Sequence, residues 1–524
     1  MMNMPNRIDI TPEELDALLQ RVKAGRLEDN DYEIIKAMAD TVSYLSQLSE
    51  EKATTIKRLL KMLFGDQSEK AQKLLNKHSQ RQDKKKKDKK KPKGHGRNAA
   101  SDYTGAKKVK IAHDSLKHGS RCPECQKGKV YRDSKPATAV RVTGKAPLQA
   151  TVYQMQRLRC NLCGEIFTAK TPEGIGERKY DAASAAMIAL LKHGSGLPFN
   201  RLEQLQAGLG LPLAASTQWE IVDDAANKAR WAWQELVRQA AQGSVIYNDD
   251  TTAKILSLIK EQSADGSSRK GMFTSAILSE LNDKKIALFF TGRNHAGENL
   301  AEVLSKRQSR LDPPIQMCDA LSRNLPDNLK TILANCLTHA RRNFVDVLAS
   351  FPQRCQYVIE ILGKVYKNDQ VSKVDQMTDQ QRLQYHQTHS GPLMQQLEDW
   401  LDAQLNEKKT EPNSGLGKAI AYMQNHWPAL TLFLRVPGAP LDNNLCEQVL
   451  KRAILHRKNS LFFKTERGAF VGDLFMSLIH TCSLVKANPF DYLTAIQEHC
   501  SLVRKNPQNW MPWNYRAALP ESDE

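Results

Sequence analysis

The chain has 524 residues, with 76 Lys and Arg against 58 Asp and Glu and a net charge of +18. That is too long for one compact core, so several domains are expected, and the charge favours a polyanionic partner. The longest strongly apolar run, Ala182–Leu191, falls far short of the roughly 20 residues that span a bilayer.

The N-terminus lacks the apolar stretch of a secretory signal, so a cytosolic protein with no membrane partner is expected. Thr11-Pro12-Glu13-Glu14 reads as an N-cap, a Pro at the first helical position and a Glu at N3, which open a short helix. Asn30-Asp31-Tyr32-Glu33 repeats that logic ahead of a longer helix, which Phe64-Gly65-Asp66 breaks. Its stripe from Ile34 to Leu63 suits a coiled-coil seam or an ordinary packing helix, because Lys52 and Thr55 interrupt the heptads. Residues 1–78 are thus expected to form a helical N-terminal region. From Arg81 to Arg97, with Lys84, Lys85, Lys86 and Lys87 near its head, there is nothing to bury and much self-repulsion. Residues 79–104 are expected to be a basic flexible linker, one that can also lie along phosphates.

Two CxxC pairs follow, Cys122/Cys125 and Cys160/Cys163, each with a Gly close behind. Ten cysteines with only these two tight pairs fit a reducing compartment and one metal site better than a disulfide framework. The four thiolates predict one closed structural Zn²⁺ site in a zinc ribbon over residues 105–175. The plainer alternative is four buried, unliganded cysteines.

Residues 176–240 read as helical. A helix over Asn200–Gly208, a turn at Leu209-Gly210-Leu211-Pro212 and a helix over Ser216–Lys228, capped by Ser216 or Thr217, make a helix-turn-helix candidate. DNA reading and plain helix packing are equally served by that pattern.

Beyond Gly243 the period changes. Strands are expected at Ser244–Asn248, Gly271–Leu278 and Lys285–Thr291, the last two joined at Asn282-Asp283, with a helix over Asn294–Leu304. A strand over Pro314–Cys318, a helix, and a strand over Ile332–Leu337 complete an α/β core over residues 241–345. A helical insertion over 346–435 follows. A helix from Asn444 to about His456 returns to the core over 436–482, and 483–524 is a helical tail.

Asp249 falls at the end of the first strand and Asp319 at the end of the fourth. In a five-stranded sheet those strands can be neighbours, and Glu447 can join them from its helix. Such hard oxygen donors suit Mg²⁺ or Mn²⁺, and two such ions support in-line phosphoryl transfer. Each acid has a plainer reading: Asp249 and Asp250 as a turn start, Asp319 as a helix cap, Glu447 as half of a capping box with Asn444. On the Glu447 helix, at about 100° per residue, Lys451 and Lys458 fall within a few tens of degrees of Glu447. Arg452, His456 and Arg457 widen that basic face, as a phosphodiester substrate requires.

With these motifs in place, the chain resembles the large transposase of the insertion sequence sixty-six family, nearly end to end and with the motifs in order. Leu59–Lys70 resembles the family's end-of-zipper segment, and the double CxxC its zinc region. Asn248-Asp249-Asp250-Thr251 resembles Ala-Asp-Glu-Thr, and Met317-Cys318-Asp319 matches the second acidic block. Cys336-Leu337-Thr338-His339-Ala340-Arg341-Arg342 resembles Cys-Trp-Ala-His-Ala-Arg-Arg. Leu441–Glu447 with His456–Asn459 matches the block that holds the last acid. The resemblance implies a multidomain α+β protein whose RNase H-like catalytic domain carries an all-helical insertion. It makes Asp249, Asp319 and Glu447 the catalytic triad, holding two Mg²⁺ or Mn²⁺ ions. It further implies strand cleavage and transfer on double-stranded DNA, both element ends and target, by a homo-oligomer (a dimer) on DNA, with accessory transposition proteins, in the bacterial cytoplasm at the nucleoid. DNA contacts fall to Lys451, Arg452, Arg457, Lys458 and the lysine tract. Two departures matter: Asp250 stands where Glu is usual, and Leu337-Thr338 replace Trp-Ala, which leaves His339 without a secure role. Two other readings remain, a zinc-ribbon DNA-binding regulator with an inactive nuclease-like domain and a nuclease that cuts without rejoining. Retention of all three acids argues against the first, and strand joining separates the second.

Overall fold

The computed structural model describes residues 178–265, 271–327 and 329–520, and before them 115–123, 126–131, 146–159, 166–170 and several single positions. The long N-terminal helix, the zipper-like segment and the Lys84–Lys87 tract lie outside the described residues. No helix among the described residues is long and apolar enough to cross a membrane.

Cys122 and Cys163 each fall by a small hairpin. Around the first, Arg121 bridges Lys129 antiparallel, and the Cys122 N–H donates to Gly128 O at 2.8 Å. Around the second, β1 (Arg157–Arg159) pairs antiparallel with β2 (Ile166–Thr168).

A helical layer follows: α1 (Ala182–Ala189), α2 (Phe199–Gly208) and α3 (Ala215–Ala240). The α2–α3 turn occurs where Gly210, at φ +75, permits it. Neither Ser216 nor Thr217 caps α3. Its N-cap is Ala214, and Glu203 of α2 accepts from the Ala215 N–H instead, at 3.2 Å. The helix also runs twelve residues past the expected Lys228, because Ala229, Ala232, Leu236 and Ala240 are all fully buried. It is a core helix.

Next come β3 (Val245–Thr252), α4 (Leu256–Asp265), β4 (Phe273–Leu281), β5 (Lys284–Gly292), α5 (Ala296–Leu304), β6 (Ile315–Cys318) and β7 (Ile332–Asn335). The sheet order is β5-β4-β3-β6-β7, with β3, β6 and β7 parallel and β4 antiparallel to both β3 and β5. The Asn282-Asp283 turn is as expected, with Asn282 at φ +56 between the paired Leu281 and Lys284. The helix expected between β6 and β7 is only a 3-10 turn, Ser322–Asn324, since Pro326 holds Leu325 extended. Helix α4 is a further element not expected from the sequence.

After β7 come α6 (Leu337–Asp346), α7 (Pro352–Val374), α8 (Asp379–His389), α9 (Gly391–Asn406), α10 (Gly415–Asn425) and the short α11 (Trp427–Leu430). Then follow α12 (Asn444–Ser460), α13 (Glu466–Leu484), α14 (Pro489–Glu498) and α15 (Cys500–Lys505). The chain separates into two compact units, Met1–Lys90 with Ala340–Gln424, and Lys91–His339 with Asn425–Glu524. Within the first, the helical stretch expected between the last strand and the Glu-bearing helix is present. Its interior holds Asp369, ion-paired with Arg382 at 2.8 Å and Lys373 at 2.6 Å, with His386 beside it. Burial would raise the Asp369 carboxyl, but these partners outweigh it and hold it below the usual carboxylate range.

In the second unit one hydrophobic core takes in α1, α3, strands β3, β4 and β5, α13, α14 and the C-terminal Trp510 and Tyr515. Helix α13 lies along the outer strand β5 and satisfies its outward backbone groups. Thr481 Oγ1 accepts from the Ala287 N–H at 3.1 Å, Ser477 Oγ from Phe289 at 3.0 Å, and Asp473 Oδ2 from Thr291 at 2.6 Å. Four helical residues rise about 6 Å and two strand residues about 6.7 Å, so the two repeats stay in step.

Candidate active site

Parallel pairing of β3 and β6 ends at Tyr247 opposite Met317. Asp249 and Asp319 each lie two residues further on, side by side where the parallel ladder stops. Asp249 is not at the end of its strand, as the sequence suggested. β3 continues to Thr252 because β4 pairs with it throughout, Asp249 opposite Ala276, and that ladder overrides the poor strand propensity of two Asp residues.

Helix α12 brings the third acid. The thiol of Cys446 donates to the carbonyl of Ala276 at 3.4 Å, which sets the start of the helix against β4 beside Asp249. Its N-cap is Asn443, with no side-chain capping bond, so Glu447 is not engaged in a capping box with Asn444. Glu447 Oε1 is buried and accepts no hydrogen bond. Burial pushes the Asp249 carboxyl up to about 7. A hydrogen bond from the Asp250 N–H opposes this, and the negative charges of Asp319, Asp250 and Glu447 reinforce it. The three carboxylates therefore repel one another across a partly buried space, and a cation there would relieve both the repulsion and the orphaned Glu447 oxygen.

A tighter donor set lies alongside. Cys336, His339 and Glu447 each offer a ligand atom within 4.8 Å of the others, and Asp249 and Asp319 stand outside that set. His339 Nε2 is 3.8 Å from Glu447 Oε1. Burial pushes the Cys336 thiol up to about 11, and its sulfur already accepts the Asn443 N–H at 3.2 Å. A neutral, soft donor suits Mg²⁺ poorly, so among these three His339 and Glu447 are the fitting ligands for a harder cation.

Of the basic residues on α12, Lys451, Arg452 and Lys458 are exposed. Arg457 is half-buried and tethered, donating to Thr251 Oγ1 at 3.2 Å and Thr252 Oγ1 at 2.6 Å. His456 does not belong to the basic face. It is buried in a ring stack with His193 and Phe463, and burial first, then the Lys192 charge, pushes its pKa down to about 3. Near the start of α3, Glu220 and Asp224 are exposed and Asp223 is half-buried, with Asp223 paired to Arg467 at 2.7 Å and Asp224 to Lys228 at 2.6 Å. Of the zinc candidates, Cys122 is half-buried and Cys163 exposed, neither in a disulfide. Cys125 and Cys160 lie outside the described residues, as do Lys84, Lys85, Lys86 and Lys87.

Sequence reasoning missed a set of buried amides behind the acids: Asn248, Gln316, Asn324 and Asn443, all with 2% exposure or less. The signal was there in Asn248 and Gln316, polar residues within otherwise apolar strands. Asp250 was also undervalued, since its carboxylate is buried and meets His295 Nδ1 at 2.9 Å.

Residues 179–470 match the profile of the Transposase IS66 family. Three relatives come from Sinorhizobium fredii (strain NBRC 101917 / NGR234). Protein y4jD is 33% identical over 190 residues, 35% of this chain and 36% of its own length. Protein y4hP is 26% identical over 200 residues, 35% of each chain. Protein y4qI is 22% identical over 355 residues, 63% of this chain and 62% of its own. The chain thus spans about a third of the length of the first two. The matched profile covers the whole five-stranded sheet, the helical insertion and α12 with its acid, and the chain belongs to the Transposase IS66 family.

Proposed function

We propose that this protein is a DNA transposase whose RNase H-like domain cleaves and joins DNA strands with Asp249, Asp319 and Glu447 as its metal-holding acids. One observation carries the reading: Asp249 and Asp319 each follow by two residues the last parallel β3–β6 pair, Tyr247 opposite Met317, while the Cys446 bond to Ala276 brings the start of the Glu447 helix beside them. The strand order supports the RNase H-like assignment, with the β4–β5 hairpin on one side of β3, β4 alone running against the rest, and the parallel β6 and β7 on the other.

Asp249 and Asp319 would hold one divalent cation, and Glu447 with Asp249, aided by His339, a second. When bound, Mg²⁺ or Mn²⁺ supplies charge for the attacking and leaving oxygens of an in-line phosphoryl transfer. The chain's own part is to hold the acids at fixed separation and to position the phosphodiester. Lys451, Arg452 and Lys458 lie on the Glu447 helix and can meet the phosphates on either side of the reacting one. Arg457 acts differently, tying α12 to the end of β3. The Arg81–Arg97 tract adds sequence-independent affinity for DNA. A Zn²⁺ held by Cys122, Cys125, Cys160 and Cys163 would join two hairpins into a ribbon, a reading supported by the antiparallel pairing beside Cys122 and beside Cys163. A dimer on paired element ends completes the proposal.

The test is direct. The purified protein is incubated with labelled element ends, a target duplex and Mg²⁺. Strand cleavage followed by joined product is expected. Cleavage with no joining would reduce the protein to a nuclease, and neither would leave a DNA-binding regulator.

A further inference from the structure

Alternation along β3 sends Asp249 one way and its two neighbours the other. Both neighbours reach the same short turn, Ser322–Asn324, which follows Asp319. Asn248 Nδ2 donates to the Asn324 carbonyl at 2.7 Å. Asp250 Oδ1 lies 3.3 Å from Arg323 Nη2. Gln316 of β6 braces the first contact, its Nε2 donating to the same carbonyl at 2.8 Å and to Asn248 Oδ1 at 3.0 Å. His295 braces the second, with Nδ1 2.9 Å from Asp250 Oδ2. The turn then passes the constraint on, since the Asn324 side-chain amide donates to Asp319 Oδ1 and the Leu321 N–H lies 3.3 Å from the same oxygen. From the other direction Asn443, the N-cap of α12, donates to the backbone carbonyl of Asn248 at 3.1 Å.

Burying amides and a carboxylate here is costly unless they are bonded, and an apolar filling would stabilise the fold at least as well. What this network supplies beyond stability is a fixed offset between one strand and the turn beside it. We infer that Asn248 and Asp250 are positioning residues, a two-pronged clamp on the Ser322–Asn324 turn that sets where Asp319 stands relative to Asp249, and so whether the pair can hold a divalent cation. The inference rests on the reading of Asp249 and Asp319 as metal-holding acids.

Arg323 gives the decisive variant, because it is about half exposed and its loss leaves the core intact. Simple electrostatics predicts that removing a cation near a metal site tightens metal binding. The clamp predicts the opposite. Binding of Mn²⁺ alone to the full chain is measured by calorimetry, with the melting temperature in chelator recorded alongside. Arg323→Ala and Asp250→Asn are expected to weaken Mn²⁺ binding roughly tenfold, the cost usual for losing an outer-shell partner, with melting little changed. Asp250→Glu should restore most of the affinity. On an Asp319→Asn background Arg323→Ala should add no further loss, since the residue it positions is already disabled. Unchanged or tighter Mn²⁺ binding in Arg323→Ala overturns the clamp. If Asp249→Asn and Asp319→Asn abolish Mn²⁺ binding while the clamp variants do not, the clamp alone falls. If those two also leave binding unchanged, the metal reading falls and the clamp with it.

Discussion

The Cys446 thiol is hydrogen-bonded to the carbonyl of Ala276, the residue that faces Asp249 across the β3–β4 ladder. This weak bond registers the start of α12 against β4, directly across from the first acid, and Glu447 is the next residue. Cys446 is fully buried, and burial drives its thiol well above the usual range, so it remains a neutral donor. Cys446→Ala should cost little in stability, while Cys446→Leu should overpack the contact and cost about 1–3 kcal/mol. Because the larger side chain also lifts Glu447 away from Asp249, strand cleavage should fall further than stability accounts for. Cleavage rates compared at a temperature where both variants remain folded will show it.

Asp249→Asn, Asp319→Asn and Glu447→Gln keep side-chain volume and each remove one charge from the metal-holding space. Each should reduce cleavage and joining by roughly 10²-fold or more, while binding of element ends persists. Glu447→Gln is the sharpest of the three. Glu447 makes no capping box, so no structural role competes with the catalytic one. Near-parental transposition by Glu447→Gln would remove it from the triad. For Asp250→Asn a loss intermediate between the triad variants and the parent is expected, because its carboxylate pairs with Arg323 and His295.

Asp473 gives a pH signature separate from the site. Burial raises its pKa to about 7, opposed by the hydrogen bonds from Thr291, whereas an unfolded Asp titrates near 3.9. The folded state therefore binds a proton that the unfolded state has released between about pH 4 and 7. Asp473 contributes its full stability below that window and loses it as pH rises through it. Asp473→Asn lacks this dependence, so its stability relative to the parent should rise with pH by about 1.4 kcal/mol per unit across the window and then level off. The imidazoles of His193, His456 and His480, all depressed first by burial, act in the opposite sense and are common to both proteins. Paired urea titrations at several pH values in chelator will read the difference. A gap between the two proteins that does not change with pH would refute the assignment.

For the cysteine hairpins, Cys122→Ser or Cys163→Ser should release about one Zn²⁺ per chain and weaken DNA binding through local unfolding. Metal analysis of the intact protein decides this, since a protein purified without chelator and free of zinc has no such site.

How much was legible in the sequence depends on how local the cause is. The hairpin at Asn282-Asp283 was readable because two residues suffice to specify it. The placement of Asp249 beside Asp319 followed from strand order alone. The length of β3 was not readable, because the residues that hold Asp249 and Asp250 in a strand lie across the ladder on β4 and in the Arg323 turn. His456 was taken for part of a basic face on helical geometry, yet its ring is buried against His193 and Phe463, one over 200 positions away in the chain. The buried amides were hidden for the same reason: Asn248 and Asn443 meet only once the helical insertion has returned the chain to the sheet.

The match in step between α13 and β5 makes that helix unusual in what it can tolerate. Inserting or deleting one residue between Asp473 and Thr481 would turn the rest of the polar stripe by about 100°, and at least one strand group would lose its partner. An ordinary surface helix absorbs such a change at its ends, but here the outer edge of the sheet would be left open to any passing strand. Evolutionary drift along α13 should therefore proceed by substitution and almost never by change of length, with Ser, Thr, Asp or Asn retained at each point of contact.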